Sequence, residues 1–222
     1  MEAMARLLAQ YRGRFAAELG IAVAAGPPER QKWFLAAILY GARISGELAA
    51  RTYRVFAARG VLTPEAVLAQ GWDNLVVLLD EGGYTRYDFK TATKLLNVMG
   101  ALQENYGGSL ERLHEASRDY DDLEAWLRHL APGIGPATAN IFLRELRGVW
   151  SKAAPPLASL AQAAAEHLKL LPPGLTPEEA LRVLEDHWRA QPVEGYDFAD
   201  LEAALVRLGI ERRRGLPRRT LN

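Results

Sequence analysis

Apolar side chains recur every three or four residues along almost the whole chain, and no alternating β-branched run exceeds a few positions. Leu7, Tyr11, Phe15 and Leu19 fall four apart. Leu95, Val98, Met99 and Leu102 follow the three-and-four pattern, as do Leu123, Trp126, Leu127 and Leu130, and later Leu201, Leu205 and Leu208. An α-helix turns once in 3.6 residues, so each set shares one helical face, whereas a half-buried strand needs period two. The spacing predicts an all-α protein of ten to twelve short helices. Thr63-Pro64-Glu65 and Thr176-Pro177-Glu178-Glu179 each place a capping hydroxyl before a first-turn proline and acids, which marks two helix starts. Gly82-Gly83, Gly107-Gly108 and the stretch from Pro132 to Pro136 read as joints between helices.

Several chemistries are excluded by residue counts. The chain has no cysteine, which removes disulfides, thiolate zinc sites, Cys-ligated iron–sulfur clusters and a cysteine nucleophile. Lys and Arg total 27, Asp and Glu also 27, so a nucleic-acid binder of this composition needs a local basic patch. No stretch approaches the ~20 apolar residues of a membrane span, and the first residues carry charges in place of a signal-peptide core. The expectation is a cytoplasmic, monomeric protein without membrane partners. Five Arg and one Glu among residues 211–222 suggest a basic tail.

The most informative stretch is His129-Leu130-Ala131-Pro132-Gly133-Ile134-Gly135-Pro136-Ala137-Thr138-Ala139-Asn140. One helix ends near Leu130, and a second begins near Pro136 with proline in its first turn. Two glycines in the turn permit positive φ and close backbone approach, so bare N–H groups at a positive helix end can meet an anion. A compact helical corner that uses its glycines only for packing is an equally available reading of the spacing.

Pro-Gly-Ile-Gly-x-x-Thr-Ala-Asn resembles the helix–hairpin–helix of the endonuclease III-like base-excision DNA glycosylase superfamily. Upstream, Phe34-Leu35-Ala36-Ala37-Ile38-Leu39-Tyr40-Gly41-Ala42-Arg43 resembles the first barrel helix of that family and the loop after it. The segment from Gly82 to Ala92 is similar to its mid-domain Gly-x-Tyr-x-x-Lys-Ala. The likeness covers about residues 30–150. It implies a two-lobed helical fold: a six-helix barrel at 30–150 with the hairpin at 129–146, a second lobe from 1–29 and 151–222, and a cleft between them. It further implies a base-excision-repair function on double-stranded DNA, with a damaged or mismatched base flipped out of the stack. Gly133, Ile134, Gly135, Ala137 and Thr138 would grip the backbone, and the main-chain carbonyls of His129, Ala131 and Ile134 would hold a monovalent cation.

Two departures stand against full catalysis. The position of the family's hairpin lysine, which attacks the sugar in lyase members, falls on Ala137. The position of its aspartate falls on Pro155, and no Asp or Glu occurs from Leu146 through Ala165. Lyase chemistry through the hairpin is therefore not expected, and no iron–sulfur cluster or other cofactor is. Lys152 is the one weak catalytic candidate, with phosphate contact or plain solvation as its alternatives. Arg43 falls where relatives fill the gap left by a flipped base, with a surface arginine capping a helix C-terminus as the alternative. Arg86, Lys90 and Lys94, four apart, could track phosphates along one helical face or form a solvated face. Tyr84, Tyr87 and Phe89 offer rings near that row, and a core role is expected for at least two of them. Asp80, Glu81 and Asp88 are the nearest acids. Trp72, Trp126, Trp150 and Trp188 read as core anchors. Three functions follow: a DNA glycosylase, a catalytically silent module that grips damaged DNA, and a helical protein–protein adaptor.

Overall fold

The computed structural model of the chain describes residues 2–215. Among these are twelve α-helices and one 3-10 turn, with no strand. In chain order they are α1 (Glu2–Gln10), α2 (Phe15–Glu18), a 3-10 turn (Val23–Ala25), α3 (Pro27–Tyr40), α4 (Gly46–Ala58), α5 (Pro64–Gly82) and α6 (Asp88–Tyr106). There follow α7 (Leu110–Ala116), α8 (Tyr120–His129), α9 (Pro136–Arg144), α10 (Ser159–His167), α11 (Pro177–Ala190) and α12 (Phe198–Arg213). The chain divides into two compact units, one of residues 2–18 with 155–215, the other Leu19–Ala154. No helix among the described residues is long and apolar enough to cross a membrane.

The unit that joins both ends of the chain holds α1, α2 and α10–α12. The single helical run expected through Leu7–Leu19 is broken, because α1 stops at Gln10 and α2 starts at Phe15. Tyr11 donates its hydroxyl to Glu211 Oε2 at 2.6 Å. The guanidinium of Arg207 lies 4.1 Å over the Phe15 ring and pairs with Glu18 at 2.9 Å. Thr176 and Glu179 form the reciprocal capping box that starts α11. Arg212 and Arg213 end α12; residues 216–222 of the expected basic tail lie outside the described residues.

The middle unit is organised around α3. Every residue from Trp33 to Leu39 in this helix is buried, as befits a helix that is apolar all round. Residues 19–29 pack with this unit: Arg30 donates to Val23 O at 3.0 Å, and Glu29 accepts from Ala22 N at 3.0 Å. Trp33 Nε1 donates to Phe142 O at 3.1 Å, which ties α3 to α9. Phe34 meets the Phe142 ring edge-on at 5.0 Å, and Trp150 covers Phe142 at 5.6 Å. Tyr84 donates its hydroxyl to Leu39 O at 2.9 Å, and burial pushes that phenol up to about 12. Thr63 caps α5 as its sequence predicts, accepting from Ala66 N.

The end of α3 also touches the start of α9. A Cβ built on Gly41 would lie 2.1 Å from Thr138 Oγ1 and 3.1 Å from its Cβ, so only glycine fits at this approach. Gly41→Ala is expected to cost about 1–3 kcal/mol by overpacking. The Thr138→Ala background, which removes the nearest atom, recovers part of that loss. Urea unfolding of the two single variants and the double variant reads the coupling, and strict additivity would refute the contact.

Candidate nucleic-acid interface

The turn between α8 and α9 is built from both helix ends. Leu130 caps α8, and Gly135 precedes α9 with no side chain bonded to the helix start. Ile134 donates its amide to Ala131 O at 3.2 Å and buries its side chain, which anchors the turn from inside. Gly133 has φ +92°, a conformation other residues seldom adopt. Gly135 does not use the positive-φ freedom that the sequence permits, since its φ is −101°. Its contribution is space: a Cβ there would meet nothing within 4 Å. Pro132, Gly133, Pro136 and Ala137 are exposed, whereas Thr138 is 3% exposed. Of the five hairpin positions expected to grip a backbone, Thr138 therefore serves the packing of α9 on α3, and Ile134 turns its side chain inward.

Beside the turn lies an open concavity of about 710 Å³ within the middle unit. It is lined by Pro132 and Gly133 of the turn, by the loop from Gly41 to Arg43, and by the start of α6. Arg43, Lys90 and Lys94 line it, and no carboxylate does. Lys94 reaches across to the hairpin, where its Cε would stand 2.9 Å from a Cβ on Gly133. Burial holds the Lys94 amine below the ordinary lysine range. Four of the expected DNA contacts, Arg43, Lys90, Lys94 and Gly133, thus meet at one surface. Arg86 does not join them on the helix. It sits in the turn before α6, with its guanidinium 5.4 Å from the Tyr87 ring centroid.

The aromatic residues are redistributed relative to the sequence reading. Only Tyr84 is core; Tyr87 is half-buried and Phe89 exposed, so the core role expected for at least two of the three rings is not met. Phe89 is 58% exposed and Trp72, read as a core anchor, is 39% exposed. Both line the concavity, with ring centroids 5.3 Å apart. Gly71, with φ +68°, breaks α5 immediately before Trp72. A glycine inside an otherwise helical run was the only sequence signal for this feature.

Lys152 performs a different task from the one considered for it. Its Nζ donates to the main-chain carbonyls of His114 and Ser117 at 2.5 and 2.6 Å, and to Glu115 O at 3.2 Å. That satisfies the carbonyls at the C-terminal end of α7. His114 stacks on Trp150 at 4.5 Å, and its imidazole is held below the ordinary range by burial first and the Lys152 charge second. The nearby acids are occupied with one another or with arginine. Desolvation, then the Asp88 charge and a hydrogen bond to it, raise the Asp80 carboxyl, while Glu81 pairs with Arg59 at 2.9 Å. Ala137 presents no amine.

The carbonyls of His129, Ala131 and Ile134 are hard oxygen donors of the kind a monovalent cation takes. Ala131 O already accepts one hydrogen bond, so it would offer its second lone pair. No group of three or more His, Asp or Glu side chains that could hold a metal ion occurs among the described residues. No family model matches the chain, and no curated protein matches it as a relative.

The lowered Lys94 amine gives a direct test. After reductive 13C-methylation, the resonance that disappears in Lys94→Arg is expected to titrate below the value of the equally methylated exposed lysines, Lys90 and Lys169. The neutral form thus becomes populated at lower pH. A resonance titrating at or above that value would contradict the burial of this side chain.

Proposed function

We propose that this chain binds double-stranded DNA through the hairpin turn and the cationic concavity beside it, as a damaged-DNA-binding protein with the six-helix-barrel and helix–hairpin–helix organisation of the endonuclease III-like group. The observation that carries this reading is the meeting of Arg43, Lys90, Lys94 and Gly133 on one acid-free surface. Phosphate oxygens are acceptors that match ammonium and guanidinium donors, and the uncapped start of α9 adds backbone amides and a positive helix end. The open space at Gly135 is where a phosphate can approach the main chain.

Catalysis is the second reading, and one observation favours it. Lys94 is a part-buried amine beside the hairpin whose charge is destabilised by its surroundings. A neutral amine is a nucleophile, and the family's chemistry on the deoxyribose uses one. Against it stand Ala137 at the usual lysine position and the absence of a carboxylate from the concavity's lining. A lost transition-state charge typically costs ~2.7–4 kcal/mol, or roughly 10²–10³ in rate. Binding without turnover is therefore the primary proposal and base-excision glycosylase activity the alternative.

Fluorescence anisotropy with a labelled duplex tests the binding. Neutralising about three phosphates gives a slope of log affinity against log salt near −3. Gly135→Val, which fills the open space without touching the core, should weaken binding about tenfold, the worth of one lost charged hydrogen bond, while lowering stability by no more than the ~1 kcal/mol of a poorer N-cap. A flat salt dependence together with an unaffected Gly135→Val variant would falsify the proposal. Incubation with duplexes carrying uracil, oxidised guanine, alkylated purines and mismatches separates the two readings: base release selects the glycosylase, and lesion-biased binding without release selects the silent module.

A further inference from the structure

Trp72 and Phe89 have no role in gripping a phosphate, yet they stand together at the edge of the same concavity. Burying a large aromatic ring is ordinarily favourable, so two adjacent rings left 39% and 58% exposed mark a surface that something else covers. The pair is fixed rather than loose. Trp72 Nε1 donates to Thr93 Oγ1 at 3.0 Å, and Thr93 donates in turn to Phe89 O at 3.0 Å. With its only polar atom satisfied, the indole offers a partner nothing but its π-surface and edge.

Arg43, Lys90 and Lys94 line the same concavity, so the occupant that fits it is anionic as well as flat. Nucleobases attached to a phosphate backbone have both properties. In an intact duplex, however, the base faces are hidden by stacking, and only edges and phosphates are accessible. Aromatic side chains stack instead on bases that are already unstacked.

We propose that the Trp72–Phe89 pair is the seat for an unpaired nucleobase that the DNA itself presents, at a bulge, a gap or a strand end. This rests on the reading that the concavity holds DNA. The hairpin rim at Gly133 takes the backbone beside the irregularity while the rings take the base. Recognition is then of a break in stacking, not of a sequence, because every base has a π-face.

The experiment uses the full chain and three labelled DNAs of equal length: a fully paired duplex, the same duplex with a one-nucleotide bulge, and one with a one-nucleotide gap. At fixed salt the bulged and gapped DNAs should bind about tenfold more tightly than the paired one, within the range of one base–aromatic stack. Trp72→Ala and Phe89→Ala should each remove most of that margin, read as the ratio of bulged or gapped to paired affinity within the same variant. Trp72→Phe, which keeps a ring, should retain most of it. Unchanged melting temperatures establish that the variants fold. Equal affinity for all three DNAs overturns the seat while leaving duplex binding standing, and a margin that survives both alanine variants overturns it too. Loss of all DNA affinity in the native chain removes the parent reading along with it. If light scattering finds self-association that Trp72→Ala abolishes, with DNA preference unmoved, the pair is a protein contact and the seat is refuted.

Discussion

The grip of α3 on α9 is the constraint from which the rest of the middle unit follows. Trp33 buries its ring completely and spends its single donor on Phe142 O, so a main-chain group of α9 is satisfied by a side chain of α3. Such a bond is worth about 0.5–1.5 kcal/mol net, and orphaning the buried partner costs more than making the bond gains. Eight residues after Trp33, just past the end of α3, Gly41 admits Thr138 against its bare backbone. The helix that begins the hairpin's second arm is thus held at two points along its length. A turn between two well-fixed helices can afford exposed glycines, because its geometry does not depend on its own side chains.

That division of labour explains which hairpin residues face outward. Ile134 and Thr138 are the inward pegs, while Gly133, Gly135 and Ala137 lie between and beyond them. The sequence pattern Pro-Gly-Ile-Gly-Pro reads correctly as a helix end, a tight turn and a helix start, because those signals are local. Capping at Thr63 and Thr176 was legible for the same reason: hydroxyl, proline and acid act within one turn. Helix content was equally plain from the apolar spacing.

What escaped the sequence was decided by tertiary placement. Arg86 shares the four-residue spacing of Lys90 and Lys94, but α6 begins only at Asp88, so the periodicity runs across a turn and loses its meaning there. Lys152 looked available because the carbonyls it satisfies belong to residues some 35 positions earlier. Trp72 looked like core because large aromatics usually are. It directly follows a break in α5 at the positive-φ Gly71, and apolar spacing does not encode that break.

The neutral overall charge of the chain sharpens what the concavity can do. With 27 basic and 27 acidic residues, no long-range field draws a polyanion to the protein as a whole. Attraction has to come from a short-range cluster, and at physiological salt the screening length is only about 8 Å. Three cations around one concavity supply a modest electrostatic term, well below that of proteins contacting six to ten phosphates. A binder built this way gains little from undisturbed duplex, whose phosphates are everywhere alike. Its discrimination has to come from contacts that uniform duplex does not offer, and on this surface the exposed rings beside the hairpin are the chemistry suited to that purpose.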